Sequence, residues 1–189
     1  MNFFVSLTKE AVENYVKDKK IVSPPENLPA EFFHKKAGVF VTIEKNGQLR
    51  ACIGTYLPTQ KNIAKEIIST AIAVATEDYR FGPIEKDELP YLAYTVYILS
   101  EPEPIKNISE LNPKKFGIIV KTQGFSQSSD VIFNPSPKAY QKTGLLLPGL
   151  EGINTAEKQV SMACQKAGID QTAEKIFIYR FKAEKYGEK

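Results

Sequence analysis

Two side chains with chemistry to offer, Arg50 and Cys52, stand two residues apart in Leu49-Arg50-Ala51-Cys52-Ile53-Gly54. On an extended strand that spacing puts them on one face, because successive side chains alternate. A thiol beside a cation holds more thiolate and becomes a better nucleophile. A guanidinium offers a planar fork that matches a carboxylate or phosphate and stays charged when partly buried. The chain carries only three arginines, Arg50, Arg80 and Arg180, against 22 lysines, so arginine is not its general surface charge. Arg50 and Arg80, with Asp78 beside the latter, are therefore candidates for holding an anionic ligand. The competing reading is an internal ion pair, for instance Arg80 with Asp78 or Glu77. Cys52 is the candidate nucleophile; the competing reading is a small packing residue, the common fate of a free cysteine. Cys164 shares the apolar side of its helix with Ala156, Val160, Ala163 and Ala167 and reads as core. His34, the only histidine, could serve Cys52 as a base, but a histidine beside Lys35 and Lys36 is more often simply solvated. One histidine and two scattered cysteines give no metal-ligand spacing, and no phosphate-cradling glycine loop or Ser-His-Asp arrangement is present, so no metal or cofactor is expected.

The elements that must position these residues follow from periodicity. Gly38 to Glu44 alternates as a strand, Asn46-Gly47 signals a turn, and Leu49 to Tyr56 is the returning strand, stopped by Pro58. A three-residue loop, Lys45-Asn46-Gly47, would pair Glu44 with Gln48 and gather Val39, Val41, Ile43, Leu49, Ala51 and Ile53 on one face. A two-residue loop pairing Lys45 with Gln48 would mix polar and apolar residues on both faces, so the three-residue loop is expected. In that register Cys52 lies across from Phe40, Arg50 lies across from Thr42, and Gly54 leaves open space beside Cys52. Gly54 thereby joins Arg50, Arg80 and Asp78 as a ligand-binding candidate.

Leu7 to Val16 and Asn62 to Thr76 read as amphipathic helices, and Tyr91 to Leu99 as a strand before the stiff Glu101-Pro102-Glu103-Pro104 linker. In the second half Phe116 to Lys121, Gly144 to Leu147 and Ile176 to Phe181 read as strands. Thr155 to Ala167 reads as a helix with Thr155 as N-cap and Gly168 as its stop. Both halves run strand, strand, Leu-Pro, helix, strand, with Leu57-Pro58 matching Leu147-Pro148. This is the order of an internal ββαβ duplication; the alternative is the ordinary alternation of an α+β protein. The expected fold is α+β, a mainly antiparallel sheet with packed helices. Residues 1–189 form a single domain, with two lobes meeting near 100–106 as its internal division. Gly38 to Pro58 spans 20 positions and Gly117 to Pro148 spans 31, so roughly 11 residues are added near Gly124 to Tyr140. The Ser126 to Asp130 run and Asn134-Pro135-Ser136-Pro137 make that stretch an expected exposed excursion.

Composition narrows the class. Hydrophobic residues are 42% and charged residues 25%, a globular balance, and the formal net charge is only +3. Lysines are interleaved with glutamates rather than gathered in a stripe, which argues against nucleic acid. The apolar run Ile67 to Ala75 is about half the ~20 residues a bilayer span needs. The start, Met1 to Leu7, lacks a basic leader, and Lys9 and Glu10 end its apolar stretch early. A cytoplasmic protein without a membrane segment is expected.

Leu49-Arg50-Ala51-Cys52-Ile53-Gly54 resembles the LRGCIG hexapeptide of AmmeMemoRadiSam system protein A, the AMMECR-type domain family. Asp78-Tyr79-Arg80-Phe81 resembles its DPRF, followed by Pro83 and Asp87-Glu88-Leu89. Gly144-Leu145-Leu146-Leu147-Pro148 resembles its GLLLP, and Cys164-Gln165-Lys166-Ala167-Gly168 its CxKAG. Ala51 stands where the family has glycine, Tyr79 where it has proline, and the Gly124 to Tyr140 stretch is longer than usual. The resemblance implies an α+β fold around a mainly antiparallel sheet. It also implies association with a Memo-type protein, which resembles extradiol dioxygenases, and with a radical-SAM protein; it implies no reaction. The leading functional expectation is a binding or accessory protein that works with those partners and presents an anionic small molecule at the Arg50/Cys52 crevice. The alternatives are an enzyme using Cys52 as nucleophile and a nucleic-acid-linked regulatory module.

Overall fold

The computed structural model describes residues 2–123 and 141–187, so the expected excursion at Gly124 to Tyr140 lies outside the described residues. The chain divides into two compact units, Met1–Glu101 with Glu184–Lys189, and Pro102–Ala183.

The first unit opens with α1 (Phe3–Asp18), which Asn2 caps by accepting from the Phe4 N–H. It ends where Lys19 turns left-handed. A short α2 (Glu31–His34) precedes the hairpin of β1 (Gly38–Lys45) and β2 (Gln48–Gly54). The helix α3 (Ile63–Thr76) starts at Asn62, whose side chain accepts from the Lys65 N–H. A 3-10 turn, Lys86–Tyr91, leads into β3 (Leu92–Leu99). The second unit contains β4 (Glu103–Pro104), β5 (Gly117–Thr122), β6 (Thr143–Leu146), α4 (Ala156–Lys166) and β7 (Ile176–Phe181). The chain then returns to the first unit as β8 (Ala183–Gly187). Thr155 caps α4 by accepting from the Lys158 N–H, and Gly168 follows the helix at φ +62°.

Each unit holds one four-stranded sheet, in the orders β2-β1-β3-β8 and β4-β7-β5-β6. The α+β expectation with antiparallel sheets holds. The repeated order is visible in the topology. In each unit a hairpin is followed by a helix and then by a strand that pairs with the hairpin's first member, giving β2-β1-β3 and β6-β5-β7. The second unit packs α4 on β6, and a side-chain carbon at Gly144 would run into the Ala163 carbonyl. That close approach is why a glycine opens the Gly-Leu-Leu-Leu-Pro segment. In the first unit Val39, Val41, Ile43 and Ala51 are fully buried and share a core with residues of α1 and α3, including Leu7, Val12, Ile67 and Ala71.

The hairpin register corrects the three-residue loop. Lys45 pairs with Gln48 around a two-residue turn in which Asn46 has φ 53° and Gly47 φ 77°. Turns with two positive φ values match the twist of paired strands, and Asn-Gly is the favoured pair for them. The facial conflict this creates is removed by a bulge. Glu44 pairs with Leu49 but Ile43 pairs with Ala51, so Arg50 is the extra residue of β2. Beyond the bulge Thr42 pairs with Cys52 and Phe40 with Gly54. Val39, Val41, Ile43, Ala51 and Ile53 keep their common face, whereas Leu49 leaves it and is 48% exposed.

Candidate functional site

The strand β2 is an edge of its sheet, so one side of its backbone has no neighbouring strand. Side chains take the place of that strand at Cys52. The Asp78 carboxylate accepts the Cys52 N–H at 2.9 Å through Oδ2, and Arg80 Nη2 donates to the Cys52 carbonyl at 3.2 Å. The two side chains are themselves joined, with Arg80 Nη2 on Asp78 Oδ2 at 2.7 Å and Nε on Oδ1 at 2.9 Å. The Asp-Tyr-Arg-Phe and Leu-Arg-Ala-Cys-Ile-Gly segments thus form one hydrogen-bonded unit. Asp78 is buried, and its pKa is pulled down to about 2, first by the Arg80 guanidinium and then by the Cys52 and Arg80 backbone N–H groups, against the opposing effect of burial. The turn itself is closed by the Phe81 and Gly82 N–H groups donating to the Asp78 carbonyl, and Gly82 supplies the positive φ of 72°.

The bulge at Arg50 has its own anchor. Arg50 grips Glu88 in a two-toothed pair, Nε to Oε1 and Nη2 to Oε2, both at 2.9 Å. Its remaining donors reach the Gly82 carbonyl at 3.2 Å and the Pro83 carbonyl at 2.9 Å. Four of the five guanidinium N–H groups are therefore engaged within the protein. Lys45 Nζ also donates to Glu88 at 2.9 Å, and Glu88 accepts the Glu85 N–H. The Glu88 pKa is held at about 2, chiefly by Arg50, despite burial. A third carboxylate fixes the exit from β2. Glu66 on α3 is buried and accepts from the Thr55 and Thr59 hydroxyls and from the Thr59 and Gln60 N–H groups.

All five sequence candidates are in this region, and of the two readings offered for Arg80 the internal ion pair with Asp78 is the one its side chain makes. Arg50 faces Glu88 rather than standing across from Thr42. Thr42 is instead opposite Cys52, and its hydroxyl lies 3.3 Å from the sulfur. The open space expected at Gly54 is filled, because a side-chain carbon there would collide with the Phe40 ring and the Val39 carbonyl. Arg80 is 42% exposed in its side chain and stacks over Phe81, with its guanidinium 5.2 Å from the ring centre. Cys52 is half-buried and Cys164 fully buried, and burial raises the Cys164 thiol. His34 ends α2 as an exposed residue, and no hydrogen bond joins it to Cys52 among the described residues. Among the described residues no cluster of three metal-ligating side chains occurs, and no helix is long and apolar enough to cross a membrane.

Sequence reasoning missed Glu66 and gave Glu88 no role. Glu66 had a signal, since it falls among Ile63, Ile67, Thr70 and Val74 on the buried side of α3, where a carboxylate has no place unless it is hydrogen-bonded. Glu88 stood only within the Asp87-Glu88-Leu89 segment that follows Asp-Tyr-Arg-Phe in the family resemblance.

The AMMECR1 family profile matches residues 5–186. The chain belongs to the AMMECR1 family. A protein of Thermotoga maritima is 45% identical over 184 residues, covering 97% of this chain and 96% of that protein. A Clostridium acetobutylicum protein is 40% identical over 95% of this chain, which corresponds to only 36% of that longer relative. The crystal structure of an uncharacterized Pyrococcus horikoshii protein superposes with a TM-score of 0.81 at 29% identity, over 99% of this chain and 90% of that one. AMMECR1 membership thus extends over both compact units, and the Cys52 clamp described here lies in the first of them.

Proposed function

We propose that this AMMECR1 protein is a cytoplasmic binding or accessory component that works with a Memo-type protein and a radical-SAM protein. Its contact surface is the turn Asp78–Gly82 and the adjoining β2 edge. The observation that carries this reading is the division of labour within the turn. Asp78 and Arg80 lock the Cys52 peptide unit, while Tyr79 between them is 93% exposed and Phe81 is 40% exposed. A rigid backbone that displays tyrosine, arginine and phenylalanine at so short a spacing has the composition of an interface anchor, and rigidity lowers the entropy lost on association. Four of the five Arg50 N–H groups are taken by Glu88 and two carbonyls, so an anionic group on a small molecule or partner meets the more exposed Arg80, beside the Cys52 carbonyl. A nucleophilic role for Cys52 draws less support, since the nearest polar side-chain group bonded to the sulfur is the Thr42 hydroxyl, which is not a base.

The test is affinity purification of the tagged protein from its own cells, with quantification of the Memo-type and radical-SAM proteins. Tyr79→Ala is expected to reduce their recovery at least fivefold at unchanged stability. Equal recovery with wild type and Tyr79→Ala, or enrichment of neither partner, removes the reading.

A further inference from the structure

A groove of about 590 Å³ runs along α3, lined by none of the side chains that bond to Cys52, with the segment Ile21–Pro24 as its other wall. Its floor and sides are apolar, from Val22, Pro24, Ile68, Ile72 and Ala73, and Ser69 lies midway. Lys65 and Gln60 line one end, and Glu77 lines the other.

Three observations identify what would fill it. The first is shape. Lys65 and Glu77 are 12 positions apart on or next to one helix, which places them roughly 18 Å apart along its axis. At the rise of a strand, an extended chain covers that span with about five or six residues.

The second is charge. Lys65 lies in the first turn of α3 and Glu77 is its C-cap, so each adds to the partial charge of the helix end it occupies instead of offsetting it. Among the described residues neither side chain has an ion-pair partner. The groove therefore carries a positive end and a negative end. A ligand with a carboxylate at one tip and a cation at the other satisfies both; an acyl chain satisfies only the first.

The third is the backbone. Ile21, Val22 and Ser23 belong to no helix or strand, and among the described residues their N–H groups make no hydrogen bond. Ser23 precedes Pro24, which biases it to extended geometry. An extended chain laid beside this wall can pair with it as a strand pairs with a sheet edge.

We infer that the α3 groove is a binding site for an extended apolar peptide of about five or six residues, with an acidic residue or C-terminal carboxylate at Lys65 and a basic residue or free amine at Glu77. The inference does not depend on the proposed function, because none of its residues takes part in the Cys52 clamp.

The test uses a synthetic array of hexapeptides probed with the full chain. One set has a basic first residue, four positions drawn from valine, isoleucine, leucine and phenylalanine, and an acidic last residue. A second set replaces both charged ends with glutamine, and a third replaces the four central positions with glycine and serine. The first set is expected to bind at least tenfold above the other two. Ala73→Trp, which fills the groove from an accessible helix position, abolishes that signal, and Lys65→Glu lowers it at least fivefold. Ser69→Phe serves as a second filling variant, and thermal unfolding followed by circular dichroism verifies that each variant is folded. Amide NMR shifts on adding the best peptide are expected to be confined to residues 21–24 and 60–77. No binding above the glycine-serine set, or binding that persists in both filling variants, overturns the inference. Groove-confined shifts with myristate but not with any peptide assign the groove to acyl chains and overturn it equally.

Discussion

The Asp78 carboxylate accepts the backbone N–H of Cys52 across 26 positions of sequence, at 2.9 Å. This bond, with the Arg80 donation to the Cys52 carbonyl, makes the edge of β2 behave as if a further strand lay beside it. It follows that the Cys52 amide is protected from hydrogen exchange although its strand is an edge. In Asp78→Ala that amide is expected to exchange at least tenfold faster while the Val41 amide in the sheet centre is unchanged. The same variant should lose about 2 kcal/mol in urea unfolding, since it removes the acceptor of the part-buried Cys52 N–H and the ion-pair partner of Arg80.

Arg50 and Glu88 are coupled more strongly than surface ion pairs, because both are largely buried and meet through two parallel hydrogen bonds. Each single variant, Arg50→Ala or Glu88→Gln, is expected to cost about 2–4 kcal/mol, as it strands the other partner. A double-mutant cycle should return a coupling of at least ~1.5 kcal/mol. Additive costs would mean that the pair contributes only packing.

Acid should weaken the fold through the same two carboxylates. Asp78 and Glu88 have folded pKa values near about 2, below their unfolded values, so they bind fewer protons folded than unfolded. Their stabilisation is complete above the unfolded values and is lost as pH falls toward about 2. Each contributes on the order of 2 kcal/mol at neutral pH. Denaturant midpoints measured from pH 5 down to roughly pH 2 should fall steeply for wild type, and less steeply for Asp78→Asn. An unchanged slope in that variant would count against the clamp.

The two thiols should separate cleanly under alkylation. Cys52 is half-buried on a sheet face, whereas Cys164 is sealed in the core of the second unit and its thiol is pushed up by burial. Peptide-resolved labelling of the native protein should modify Cys52 first and reach Cys164 only on unfolding. Because Arg50 is neutralised by Glu88, Arg50→Gln should change Cys52 labelling less than a free cation two residues away would. Equal labelling of both cysteines would contradict the placement.

Gly54→Ala tests the close approach of the strands. The added carbon meets Phe40 and the Val39 carbonyl, so a loss of about 1–3 kcal/mol is expected in thermal or urea unfolding. A neutral outcome would show that the Phe40 ring moves freely.

Period-2 and period-3.6 patterns were enough to place α1, the first hairpin, α3, β3, β5, β6, α4 and β7, because each pattern reports a face that must be buried. The repeated ββαβ order and the caps at Thr155 and Gly168 were legible for the same local reasons. The four-residue α2, the two-residue β4 and the returning β8 were not, because short or polar segments owe their form to the sheet they join. The hairpin register shows where local reasoning stops. Turn chemistry at Asn46-Gly47 demanded one pairing and the apolar face demanded another, and a bulge at Arg50 satisfied both. Spacing alone singled out Arg50 and Cys52 and offered the Arg80–Asp78 ion pair, which forms. Only the tertiary structure decided the long-range partners, since Arg50 finds Glu88 38 positions away and Asp78 finds the Cys52 backbone 26 away. Long-range pairs of this kind leave no periodic trace: the chain specifies the two faces, and the three-dimensional packing of loop against edge strand selects the partners.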